Sequence, residues 1–542
     1  MFLCAQLLLF IASAAIACLA ARVDVSWDIC YLHVNRVGEG TRLAIGANGK
    51  LPIPPVYMTR GDTLYLHVHN SLNVSTTVHA HGIFQNGTVY NDGTAMITEC
   101  SIPPGDNHTY IIAPEQEGTF WLHGHYDEDN ADGLRAALII YEKEPIVDYD
   151  AEYLFAVEDW YSTEFIERMK QIVHTGITGN LPITYSRALI NGDLGNFTKP
   201  IKFEPSKKYR IRFINMAATN WFKISMPGHK MQIIEIEGVH SVPYDVDQFD
   251  VGPGQRISVL VEAKDTDEFN YNYNITLYLI DNSFVSGANP LYYSGLIEYR
   301  ENAPVYQSPP IEDNYQWAED INMNAFDGEP LLEPVTRKIV LNYQQKILSD
   351  GLPHYLLGDH PYQSPLVPTL FTALTMGDLA TDPAIYGPQT VAYVLDHMDI
   401  VEIELHNPGS PDHTFHLHGH TFQIIEYGPT NATSEDNSTE IAVRKSAGAP
   451  MRRDTLMVRA WNYVKVRFRA DSPGVWFFHC HMSTHLYLGL AVTFVEAPLL
   501  LQKQIQVPDE YYKMCQKQSI KTSGNGAGNA GYNFTGLPPI PT

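Results

Sequence analysis

The sequence predicts an all-β protein built from several stacked sandwich domains, and three observations carry that reading. Short runs that alternate apolar and polar residues, among them TLYLHVHN, KYRIRFINMA, RISVLVEA, DIVEIELHN and VKVRFRAD, recur along the chain. Period-two alternation is the mark of a strand with one buried face. Pro, Gly and Asn turns separate these runs and long helical periodicity is scarce, as in stacked sandwiches. At 542 residues the chain is also too long for one hydrophobic core.

The segments follow in order. Residues 1–20 are an apolar run leading into Cys-Leu-Ala-Ala at residues 18–21, which reads as a secretory signal peptide despite lacking basic residues at its start. Residues 22–144 form a first domain carrying HAHG and WLHGH, and residues 145–300 a second, without any His-x-His, that reads as a spacer. The Pro-rich, acidic stretch ENAPVYQSPPIEDNYQW marks a linker over 301–330. A third domain spans 331–497 and includes TNATSEDNSTE, an expected exposed, glycosylated loop, and residues 498–542 form a C-terminal tail. No second apolar run is long enough to span a bilayer, so a monomer that is secreted, extracellular or in the cell wall is expected. Sequons at Asn73, Asn86, Asn107, Asn196, Asn274, Asn431, Asn437 and Asn533 fit that route. The net charge of −25, from 61 acidic against 36 basic residues, argues against nucleic acid as a partner. Such a surface can steer cations without choosing a substrate.

The chemistry concentrates in four motifs. HAHG holds His79 and His81, WLHGH holds His123 and His125, HTFHLHG holds His413, His416 and His418, and HCHMSTH holds His479, Cys480, His481 and His485. On a strand, His-x-His puts both imidazoles on one face, whereas in VWFFHCHM Cys480 points away from His479 and His481. One thiolate with two imidazoles and a weak axial neighbour makes a blue-copper electron-transfer site; Cys480, His413, His485 and the non-coordinating Leu490 suit it. The eight remaining histidines match a three-copper cluster with two ligands on one ion and three on each of the others. The peptide through Cys480 would link the two centres. A zinc site would want all ligands on one tetrahedron, which the two-faced HCH strand opposes.

These motifs, with HGIFQNG, DGLRAALII and HTFHLHGHTFQII in the same order, resemble the three-domain multicopper oxidases, the family of laccases, ascorbate oxidases and ferroxidases. The segment RFINMAATNWFKISMPGHKMQIIEIEGV and the tail GNGAGNAGYNFTGL extend the resemblance over nearly the whole chain. It implies three cupredoxin-like Greek-key β-sandwich domains and four copper ions, one type 1, one type 2 and two type 3. Type 1 copper falls to His413, Cys480 and His485, and type 2 to His79 and His416. One type 3 ion falls to His81, His123 and His479, its partner to His125, His418 and His481. It also implies a disulfide between Cys100 and Cys515, leaving Cys30 unpaired and, as a free cysteine, expected to be buried.

What the resemblance implies about activity is one-electron oxidation of a donor coupled to reduction of O2 to water. An axial leucine, unable to donate to copper, should raise the type 1 potential. The family places a carboxylate between the HCH motif and the next histidine, where this chain has Ser483, and a hydroxyl is no proton store. Asp92, in an NDG turn matching a second family acid, is the remaining candidate. Ferroxidase-like members bind Fe(II) through three acids; the matching places hold Leu181, Val285 and Gly409, with Asp281 and Asp412 near by. A laccase-like phenolic donor is therefore expected, Fe(II) being the alternative, although the acid that laccases carry before the LING turn is Ser186. A copper-binding protein without turnover is a third reading, opposed by the complete ligand set.

Overall fold

The computed structural model describes residues 20–175, 187–194, 197, 199–278, 290–308, 320–430 and 443–542. Residues 1–19 of the expected signal peptide, Leu181, Ser186, Asp281, Val285 and the loop TNATSEDNSTE beyond Thr430 lie outside the described residues.

Alternation in sequence becomes alternation in burial. Along Thr63–Asn70 and Tyr271–Tyr278 every second side chain is buried. Such strands need a second layer, and they find it in three successive pairs of sheets. In the first pair, strands Arg42–Ala47, Arg22–Val34, Thr63–Asn70 and Asn107–Ile112 form one sheet, and Val56–Thr59, Arg135–Tyr141, Gly118–His123 and His79–His81 the other. Sheets of six and five strands follow over residues 151–298, and of six and five over residues 337–496. Each unit opens with the same device, a first strand pairing in parallel with a later one: Arg22–Val34 with Thr63–Asn70, Ala151–Trp160 with Lys208–Asn215, and Arg337–Asn342 with Ile400–Asn407. Parallel neighbours require a crossover, which gives the sandwiches their Greek-key character.

The strand Gly474–Cys480 departs from alternation, for all seven residues are buried. It runs between Ala491–Glu496 and His413–Leu417 in the sheet, and both of its faces are covered, so it reads as a nearly continuous apolar run. The cores of the first and third units merge into one apolar cluster, running from Trp27 and Leu66 to Phe478 and Leu490. The middle unit keeps its own core around Phe155, Phe213 and Ile275.

Cys100 and Cys515 are bonded, with Cα atoms 5.2 Å apart, and tie the first unit to the tail. That tail is structured: helix Asp509–Lys517 packs Tyr511 into the first unit, where its hydroxyl donates to Asn91 Oδ1 at 2.6 Å. Cys30 is free but only half-buried, contrary to expectation. Trp27 and Ile29 hold the inward phase of strand Arg22–Val34, which turns Cys30, one position on, away from the core.

Candidate metal centre

Two clusters of metal-ligating side chains lie back to back across the strand Gly474–Cys480. On one side His413, Cys480 and His485 converge, with their ligand atoms within 4.8 Å of one another. His413 Nδ1 stands 3.7 Å and His485 Nδ1 3.6 Å from Cys480 Sγ. Antiparallel pairing explains the convergence. Phe415 lies opposite Cys480, so His413, in the same phase as Phe415, joins the thiol's face, while His416 and His418 take the other. His485 arrives on the short helix Ser483–Tyr487. The backbone of Leu490 spans both residues: its carbonyl accepts from the Cys480 amide and its amide donates to the His485 carbonyl, each at 3.0 Å. The Leu490 side chain is fully buried. Tyr343 packs on the His413 ring at 4.1 Å and Tyr355 on the His485 ring at 4.6 Å, closing that side with buried aromatics.

On the other face stand eight histidines. His79 lies opposite His123 in one antiparallel pair and His416 opposite His479 in another, and the first and third units bring the two pairs together. His79 stacks on His418 at 4.0 Å and His81 on His416 at 3.7 Å. His125, His418 and His479 form one compact triad, with His418 Nε2 and His479 Nε2 3.1 Å apart. His481 Nε2 faces His81 Nδ1 at 3.2 Å, and its ring lies 5.4 Å from that of His123. His479 thus neighbours His125 and His418, and His481 neighbours His81 and His123. Strand pairing holds His479 beside His416 and His418 of its own unit, while His481, beyond the strand end, reaches the first unit.

Neighbouring acceptors fix the rings. Nδ1 of His79 bonds the Asp92 carbonyl at 2.6 Å, Nδ1 of His123 the Gly124 carbonyl at 2.8 Å, and Nδ1 of His416 the Asp454 carbonyl at 3.1 Å. Each Nε2 of those three is buried with no hydrogen-bond partner and points into the cluster. Asp92 accepts from His418 Nδ1 at 2.9 Å and from the Thr94 hydroxyl at 2.6 Å. It is thus a buried partner of a candidate ligand as well as the residue before Gly93. That glycine must stay a glycine, since its φ is 76° and a Cβ would fall 1.9 Å from the Val78 carbonyl. Burial raises the cost of charging these imidazoles, and their mutual repulsion adds to it, so His81, His123, His418, His479 and His481 are held well below the usual histidine range. Neutral imidazole is the ligand form. Burial pushes the Cys480 thiol up to about 12, so metal binding there must displace a proton.

Sequence reasoning missed the group that organises the centre from outside. Asp454 Oδ1 lies 3.1 Å from His81 Nε2 and 3.3 Å from His416 Nδ1, and the carboxylate pairs with Arg256 at 2.6 Å, all fully buried. Arg453, the preceding residue, pairs with Glu237 at 2.6 Å. Arg256 and Glu237 come from the middle unit, which is therefore more than a spacer. It also supplies Gly254, at φ 84°, where a Cβ would come within 2.7 Å of His481 Cδ2. No spacing rule could reveal these partners, because His81 and Asp454 are 373 positions apart.

The donor set fits copper. A thiol flanked by two imidazoles on one side, and aimed, unpartnered buried nitrogens on the other, match the soft and borderline ligands that copper takes. Bound there, copper would supply one-electron chemistry at the thiolate and multi-electron chemistry among the histidines. The protein's own contribution is to hold the ligands neutral, oriented and dry, with Cys480 covalently between His479 and His481.

The likenesses agree. Sequence profiles described as multicopper oxidase match residues 28–145, 151–302 and 362–499. The chain is 36% identical over 516 residues to the iron transport multicopper oxidase fetC of Epichloe festucae, covering 94% of this chain and 82% of that one. It is 36% identical over 558 residues to the iron multicopper oxidase fer1 of Mycosarcoma maydis, with 96% and 88% covered. The crystal structure of Fet3p, a multicopper oxidase that functions in iron import, superposes with a TM-score of 0.85 at 29% identity, covering 93% of this chain and 96% of that one. The laccase of Botrytis aclada shares the fold, at a TM-score of 0.73 and 24% identity, with 92% of each chain covered. With two clusters of the right donors on the two faces of one strand and three matching profiles along its length, the chain belongs to the multicopper oxidase family.

Proposed function

We propose that the protein is a ferroxidase holding four coppers, which oxidises Fe(II) one electron at a time and reduces O2 to two waters. The observation that carries this reading is the likeness, over more than nine-tenths of the chain, to iron multicopper oxidases of several fungi. The Fe(II) alternative thus has better support than the phenol-like donor expected from sequence. Four Fe(II), one O2 and four protons give four Fe(III) and two waters. Type 1 copper is assigned to His413, Cys480 and His485, and type 2 to His79 and His416. The type 3 pair is assigned to His81, His123 and His481 and to His125, His418 and His479, a division supported by the contacts above. An acidic surface with a net charge of −25 draws cations towards such a protein. The Cys100–Cys515 disulfide favours an oxidising compartment, in keeping with secretion. Among the described residues no helix is long and apolar enough to cross a membrane.

One observation favours an organic donor as the second reading. Asp412, the described acid nearest the type 1 histidines in sequence, is engaged rather than free. Arg459 Nη1 donates to it at 2.8 Å, as does the Ala460 amide, and Arg459 also bonds Asp250. Steady-state rates for Fe(II) and a panel of phenols on one copper-loaded preparation decide between them. The expected result is a kcat/KM for Fe(II) above that for every phenol; the reverse order would give the protein to the organic donor. Absence of O2 uptake with either would leave a copper-binding protein without turnover.

Leu490 supplies a second test. Leu490→Met is expected to lower the type 1 potential by offering a weak thioether ligand, measured by redox titration of the blue absorption. An unchanged potential at full copper loading would show that position 490 does not face the metal.

A further inference from the structure

The tail helix Asp509–Lys517 reaches the back of the turn that orients two of the eight histidines. That turn, Val89–Asn91 continuing into Asp92, meets the cluster twice. The Asp92 carbonyl accepts from His79 Nδ1 at 2.6 Å, and its carboxylate accepts from His418 Nδ1 at 2.9 Å. Each bond decides which ring nitrogen is left for metal, so both rings depend on where the turn lies. On its inner side the turn presses against the ligand strand, where a Cβ on Gly93 would stand 1.9 Å from the Val78 carbonyl. Its outer support is the buried Asn91 side chain. Asn91 Oδ1 accepts from the Tyr511 hydroxyl at 2.6 Å and, at a longer 3.3 Å, from the Ile111 amide.

We propose that Tyr511 is a positioning residue for the histidine cluster: through Asn91 it holds the turn that sets the rings of His79 and His418. This rests on the copper-oxidase reading. It gives the C-terminal tail a part in the metal centre, although among the described residues no group of candidate ligands includes a tail residue.

The packing around Tyr511 suits that part. Its ring is wedged between Tyr90, at 5.2 Å, and His108, at 4.6 Å, which leaves the hydroxyl little freedom to turn away from Asn91. His108 packs in turn on Tyr110 at 4.6 Å, whose hydroxyl accepts from the Val78 amide at 3.2 Å and donates to Glu99 Oε1 at 2.7 Å. Val78 precedes His79, so a second row of contacts runs from the tail helix to the same ligand. The helix itself is anchored. Cys515 lies one turn after Tyr511 on the same face and is bonded to Cys100. Gln518 Nε2 donates to the Ser101 carbonyl at 2.6 Å, and Lys517 pairs with Asp106 at 2.6 Å. These anchors fix the helix against the first unit, and the Tyr511 hydroxyl turns that fixed position into a fixed turn.

The test compares the full copper-loaded parent with Tyr511→Phe, Asn91→Ala and the double variant. Phenylalanine keeps the ring between Tyr90 and His108 and removes only the oxygen. Type 1 copper is read from its blue absorption and potential, and type 2 copper from its paramagnetic resonance hyperfine splitting and from competition with a chelator. Tyr511→Phe is expected to keep a parental type 1 centre, to shift the type 2 splitting, and to hold type 2 copper about 10-fold more weakly, the lower end of what removing an orienting partner costs. The double variant should be no weaker than Asn91→Ala, since both changes act through one bond. A parental type 2 signal and affinity in Tyr511→Phe would overturn the assignment, as would additive losses in the double variant. Equal weakening of both centres with a lower denaturation midpoint of the copper-free protein would overturn it too, since that marks an effect on stability alone. A copper-loaded parent without a type 2 signal would sink the copper-oxidase reading first, and this proposal with it.

Discussion

Cys480→Ser is expected to abolish the blue absorption and all steady-state turnover while the eight-histidine cluster still loads copper. The reason is positional. Cys480 is the one described side chain that offers sulfur to His413 and His485, and its backbone is the covalent join to His479 and His481. Serine keeps the volume and the strand but offers a harder, weaker donor. Copper analysis with absorption and paramagnetic resonance spectra checks this. A serine variant that stays blue, or that oxidises donor at parental rates, would show that electrons do not enter here.

Asp454→Ala has the second large effect. The Asp454 carboxylate compensates the fully buried Arg256 and receives His81 and His416. Removing it leaves a buried guanidinium without its partner, at a cost of about 3–5 kcal/mol. It also takes the carboxylate from two rings of the cluster, while the backbone carbonyl of residue 454 still meets His416. The expectation is a lower denaturation midpoint in the copper-free protein and substoichiometric copper in the loaded one. Arg256→Met with Asp454→Leu should recover much of the stability without recovering the metal. An Asp454→Ala protein as stable as the parent and fully loaded would refute this account.

The sequence revealed most where a side chain's role follows from its own strand. Alternation in TLYLHVHN and in the His-x-His motifs survives folding because period two is a local property, so the all-β fold and the histidines that share a strand face could be read directly. The neighbours that His479 and His481 meet could not, because they depend on which strand pairs with Gly474–Cys480 and on what the chain meets past its end. Asp454 and Arg256 were hidden for a related reason. A buried acid looks like any other acid until the segment packed against it is known, and here those segments come from distant units. Cys30 failed on phase, since a cysteine's apolar tendency is weaker than the claim of Trp27 and Ile29 on the core face.

The ligand histidines are split between residues 79–125 and residues 413–485, and a disulfide from Cys100 to Cys515 closes behind them. The two groups are nearly three hundred residues apart, from His125 to His413. The full ligand set therefore exists only when residues 79–125 and 413–485 have come together and the strand Gly474–Cys480 lies between its neighbours, so the metal site is a property of the assembled units and of neither half alone.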